Sequence, residues 1–128
     1  MYRINITSNG ANWSDNKTCE GDVTFSDGAV IINYTLDGDK CTLTVDSGKV
    51  VQNRVGAQNV NVQFEEGKKT SCIFGSGGLS GSFEILTEKI KIVYGKGGLR
   101  LNLEYLSGSD RERVNLTLTA FKNFGGTK

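Results

Sequence analysis

Glycine returns through this chain at near-regular intervals, at Gly28, Gly38, Gly48, Gly56, Gly67, Gly77, Gly97 and Gly108. Between these positions lie short runs of Val, Ile, Leu, Thr and Phe in which apolar and polar residues alternate. A turn signal roughly every ten residues, flanking period-two runs, describes an antiparallel β chain that reverses at each glycine. No segment carries apolar residues at the three-and-four spacing a helix needs. Proline, which cannot donate to a central ladder, is absent altogether.

The runs place strands at Tyr2–Thr7, Lys17–Phe25, Ala29–Leu36, Lys40–Asp46, Lys49–Val55, Asn59–Phe64 and Lys69–Gly75. Gly81–Leu86 and Lys89–Tyr94 read as one long kinked strand or as two, and Leu99–Leu106 and Val114–Phe121 complete the set. Ser8–Asn16 breaks the alternation and reads as a loop holding the only tryptophan, Trp13; Gly125–Lys128 reads as a frayed tail. Asp37-Gly38 is the sharpest hairpin signal, because a type I′ turn needs positive φ at both central residues. Strands with one apolar face each must hide those faces together. A sandwich would do so, but near-uniform hairpin connection favours an up-and-down meander closed into a barrel of eight to ten strands, which also removes the edges. The expectation is therefore a single all-β barrel domain over residues 1–128, lipocalin-like in outline, whose interior holds side chains or one small ligand.

Composition narrows the function by exclusion. Fifteen basic residues against 14 acidic ones leave a formal charge of +1, without the basic surplus of a nucleic-acid binder. No run approaches the length of a membrane span, and the first residues lack the apolar stretch of a signal peptide, so the chain reads as cytoplasmic, with no membrane or nucleic-acid partner. Cys19, Cys41 and Cys72 are odd in number and irregularly spaced, which suits free, buried thiols. With no histidine and no Cys-x-x-Cys, neither a metal site nor a cofactor is expected. Five Asn-x-Ser/Thr sequons, at Asn5, Asn12, Asn16, Asn33 and Asn115, follow from an Asn- and Thr-rich composition.

From Lys49 onward the order of short motifs is distinctive. Arg54-x-Gly56 is followed by Phe64-x-x-Gly67, then a strand around Cys72, the stretch from Gly78 to Thr87, and the runs Leu99–Tyr105 and Val114–Thr119. In this order the chain resembles the YwiB-like family, small bacterial proteins of unknown function with a lipocalin-like barrel of the calycin type. It departs from the family pattern at Cys72, where an aromatic is usual, and in the extra glycines Gly77 and Gly81. The resemblance implies the fold and brings no established activity.

Candidate chemistry is sparse. The glycine-rich Gly75–Gly81 leads into a strand rather than a helix, so it is a hairpin loop and not a phosphate cradle. Asp37/Asp39 and Glu65/Glu66 straddle turns without the oxygen spacing of a calcium loop, and Glu84 has no partner for general-acid work. Without a catalytic constellation the chain reads as a non-enzyme. Arg54, at a strand end before Gly56, is the residue singled out: it either anchors a carboxylate or phosphate at the barrel mouth or closes the rim structurally. Tyr34, Tyr94 and Tyr105 either line a ligand cavity or fill the core, and Trp13 either covers the open end or packs outside. The functional expectation is a small, partly apolar or anionic ligand bound at one barrel end. The alternative is a protein-interaction module with a filled interior.

Overall fold

The computed structural model describes residues 1–122; the expected tail at Gly125–Lys128 lies outside the described residues. Ten strands follow in order: β1 (Tyr2–Asn9), β2 (Ser14–Ser26), β3 (Ala29–Leu36), β4 (Asp39–Asp46), β5 (Lys49–Val55), β6 (Gln58–Glu65), β7 (Lys69–Ser76), β8 (Leu79–Gly95), β9 (Gly98–Ser107) and β10 (Glu112–Lys122). Each pairs antiparallel with its sequence neighbours, and β1 pairs with β10, so the sheet closes on itself as the expected meander barrel. Closure leaves the two apolar faces of no second sheet to find: each strand's inward set meets the others across one interior.

Turn chemistry drives the reversals. At Asp37-Gly38 both central residues take positive φ, 51° and 84°, the backbone twist that a two-residue hairpin shares with its strands. The period-two pattern then sorts faces. Ile4, Ile32, Leu43, Ile85, Leu101, Leu103 and Leu118 are fully buried and belong to one continuous core. Phe64 and Tyr105, on strands that are not neighbours, meet across the interior at 5.0 Å between ring centroids. Large aromatic bodies occupy the space that a wider barrel would leave to a ligand.

The outward faces explain the abundance of Asn and Thr. Thr18 donates to Asn5 at 3.1 Å, and Thr42 donates to Asn33 at 3.0 Å, each pair lying across adjacent strands. Three of the sequon asparagines, Asn5, Asn16 and Asn33, thus serve as acceptors in cross-strand pairs, with Thr7 the partner of Asn16.

One sequence expectation needs adjustment and one open alternative is decided. The break at Ser8–Asn16 is shorter than expected: β1 and β2 remain paired out to Asn9 and Ser14, leaving only residues 10–13 as the turn. Polar residues there mislead because both faces of an exposed barrel rim are wet. The long segment after Gly78 is one strand of 17 residues, kinked by a bulge between Thr87 and Lys89. The β6–β7 turn docks on that bulge: Gly67 N–H donates to the Thr87 carbonyl, and Thr87 N–H donates to the Lys68 carbonyl. Beyond Leu86, β8 has β9 but not β7 as a partner, so the β8–β9 hairpin leans across one end of the barrel.

Candidate functional site

Alternating strand direction gives the barrel two ends, and the sequence-nominated residues are divided between them. One end carries the turns at Asp37-Gly38, Gly56-Ala57 and Gly77-Gly78 and includes Arg54. The other carries Asp27-Gly28, Ser47-Gly48 and Lys96-Gly97 and includes Tyr94.

At the first end Arg54 is committed. Its Nε donates to Asp39 Oδ2 at 2.8 Å, and only 16% of its side chain is exposed. The same carboxylate accepts Ala57 N–H at 2.8 Å and Gln58 N–H at 3.3 Å, so it ties the start of β4 to the end of β5 and the start of β6. The Arg54 guanidinium, helped by those two amides against the cost of burial, holds the Asp39 carboxyl below its ordinary range. Gly56 is required by this clamp: a Cβ there would overlap Asp39 Oδ1. Arg-x-Gly is therefore the arginine and the gap of a carboxylate clamp. Along the chain Asp39 is only a carboxylate beside a turn glycine. Its burial, at 3% exposure, follows from the β4–β5 register, which sets Arg54 opposite Cys41 and diagonally beside Asp39, a placement that no local pattern reveals.

Tyr34 lies inside the same half of the barrel, buried beside Cys41, and its hydroxyl accepts Gln52 Nε2 at 3.4 Å. Burial drives the phenol well above its usual range, so it stays neutral. Tyr105 is likewise pushed up to about 12 by burial, and it fills the core against Phe64. Trp13 sits at the rim of this end, 43% exposed. Its Nε1 donates to Glu112 Oε2 at 2.8 Å and the Ala11 N–H donates to the same oxygen at 3.2 Å, pinning the β1–β2 turn to β10. Cys19, Cys41 and Cys72 are free thiols whose pKa burial raises. Glu84 is exposed on the outer face. Among the described residues no three Cys, Asp or Glu side chains converge as a metal site.

A shallow space of about 300 Å³ lies beside Arg54, Val60 and Phe74 at the first end, and the opposite end holds a larger one. There Tyr2, Val23, Phe25, Tyr94, Leu99 and Lys122, with the turn glycines of the β8–β9 hairpin, line a space of about 420 Å³. Phe25 and Tyr94 come from strands that are not neighbours, and their rings meet at 6.1 Å, tilted by 53°. A further space of about 320 Å³ lies on the other side of this pair, against Gly28, Ala29 and Val30. The ring contact thus brings the β8–β9 hairpin against the end of β2. Of the five nominated residues only Tyr94 belongs to this mouth; Tyr2, Phe25 and Lys122 were missed, because strand-end residues look alike until closure shows which of them face one another.

The fold and its end-on concavity define a class: a ten-stranded, lipocalin-like, up-and-down β-barrel with a packed interior and an aromatic mouth. Residues 4–115 match the family described as a domain of unknown function, DUF1934. The chain belongs to this YwiB-like family. Among solved structures it is similar to the crystal structure of the ywiB protein from Bacillus subtilis, with a TM-score of 0.77 and 18% sequence identity over 95% of this chain and 89% of that one. At that identity the likeness carries the fold alone. No curated protein matches.

Proposed function

We propose that this protein is a non-catalytic binding barrel that takes a small, partly apolar anion into the mouth between Tyr2, Phe25 and Tyr94. The observation that supports the reading is the mouth itself: about 420 Å³, walled by three aromatics and two aliphatics, with the Lys122 ammonium at its edge. Small-molecule sites occupy roughly 300–1,000 Å³ and combine apolar walls with a few polar groups. Phe25 and Tyr94 are 61% and 53% exposed, which leaves ring surface for a ligand to cover. Arg54 has no part in this reading, since Asp39 already holds it.

The test uses two probes, 1-anilinonaphthalene-8-sulfonate and the uncharged N-phenyl-1-naphthylamine. Both should bind one to one by calorimetry. Tyr94→Ala should weaken both, and Lys122→Glu should weaken only the sulfonate. Absence of saturable binding, or binding indifferent to Tyr94→Ala, would count against the mouth.

A second reading, a protein-interaction module, draws support from the β7–β8 hairpin. Phe74, Leu79 and Phe83 lie on the face that lines the core further along, yet they are 40%, 78% and 38% exposed. Were this the working surface, Leu79→Ser would abolish partner co-purification while leaving probe binding at the mouth unchanged.

A further inference from the structure

The mouth is framed by Phe121, Val93, Lys96, Arg100 and Arg3, which the ligand reading does not use. Phe121 projects outward from β10 at 52% exposure and lies over Gly98, where a Cβ would collide with its ring. Val93, 49% exposed, pairs with Arg100 on the same outer face, while Phe25 and Tyr94 stand on the inner side of the same hairpin. Between these apolar groups run Lys96 in the turn, Arg100 on β9 and Lys122 on β10. All three are exposed, and none enters an ion pair among the described residues. Arg3, paired in the ladder with Phe121 and Glu20, adds a fourth cation; the acidic residues towards this end are Glu20, Asp22 and Asp27 along β2 and its turn, Asp46 at the close of β4, and Glu65 and Glu66 at the β6–β7 turn.

We infer that this end of the barrel docks on an anionic lipid surface, with the β8–β9 turn inserted at the headgroup level. The reasons are geometrical and electrostatic. Gly95, Gly97 and Gly98 leave the turn without side-chain bulk beyond Lys96, so the aromatic rings on its two sides can reach the acyl boundary together. Aromatic rings suit that interface because they tolerate a wet edge and an apolar face. The cations surround the rings instead of lying on a separate face, the arrangement that lets apolar insertion and attraction to anionic lipid act in one orientation. The sequence shows no spanning segment, and no described helix is long and apolar enough to cross a membrane; a surface-docking tip needs neither.

Flotation of the full chain with vesicles tests this. Vesicles of phosphatidylcholine and phosphatidylglycerol at 7:3 should carry the protein, pure phosphatidylcholine vesicles should not, and added salt should release it. Arg100→Glu and Lys96→Glu should each lower the partition coefficient by at least about fivefold, the weight of one cation near an anionic surface. Phe121→Ser should lower it further. Because Phe121 and Arg100 do not line the mouth, these variants should keep wild-type affinity for the naphthalene probes, which separates failure here from failure of the ligand reading. Lys40→Glu, at the opposite end, should float like wild type. Absence of flotation at low salt, equal binding to both vesicle types, or a dimer by sedimentation velocity that Phe121→Ser dissolves would overturn the inference.

Discussion

Replacing Thr87 with valine should make this protein more stable. Thr87 is completely buried at the β8 bulge, and its hydroxyl has no hydrogen-bond partner. Its backbone is fully used, with the N–H given to Lys68 and the carbonyl accepting Gly67, so the local fold does not depend on the hydroxyl. A buried, unpaired hydroxyl costs about 1–3 kcal/mol relative to water. Valine has the same shape and suits a strand at least as well, and it removes that cost without opening a cavity. The gain is therefore about 1–3 kcal/mol, a rise of about 4–11 °C in Tm for a chain of this length. Urea unfolding should show a higher midpoint at unchanged slope, and Thr87→Ser, which keeps the hydroxyl and loses the methyl, should shift it the other way. If valine proves neutral or destabilising, the hydroxyl has a partner, such as an enclosed water, and the reasoning fails.

Other outcomes follow from the clamp and the rim. Gly56→Ala forces a methyl against Asp39 Oδ1 and should lower the unfolding midpoint clearly, whereas Gly48→Ala, whose added methyl meets nothing, should show only the strain of its turn. Because the folded Asp39 carboxyl sits below its unfolded value of about 3.9, the unfolded chain binds more protons between the two values. The clamp's contribution is complete above about pH 4 and is lost as pH falls through the lower folded value; Arg54→Met should therefore flatten the acid limb of a stability–pH curve. Glu112→Ala should free the Trp13 indole and shift its emission to the red, at a cost of about 1 kcal/mol, while Glu84→Ala leaves the emission unchanged. Ellman's reagent should label Cys19 ahead of Cys41 and Cys72 in the native protein, and all three alike in denaturant, because the latter two are buried.

How much of this was legible in the chain depends on the range over which each force acts. Alternation and turn chemistry act over two to four residues. Asp37-Gly38 and the Val30, Ile32, Tyr34 face therefore specified their hairpin and their inward side in the sequence, and a succession of such hairpins made closure the natural end. Arg54 stood out beside Gly56, but its partner Asp39 did not. A carboxylate next to a turn glycine looks solvated until the β4–β5 register sets it under a guanidinium and two amides. Trp13 and Glu112 are 99 residues apart and share nothing that a local pattern could report. The mouth shows the same limit: Tyr2, Phe25, Tyr94 and Lys122 are ordinary strand-end residues along the chain. The sequence by itself determined that the strands form and which way their side chains face, since those depend on neighbours in the chain. Which strand ends meet across the opening was decided only in the tertiary structure, by the register of the closed barrel and by the Thr87 bulge that bends β8 over it.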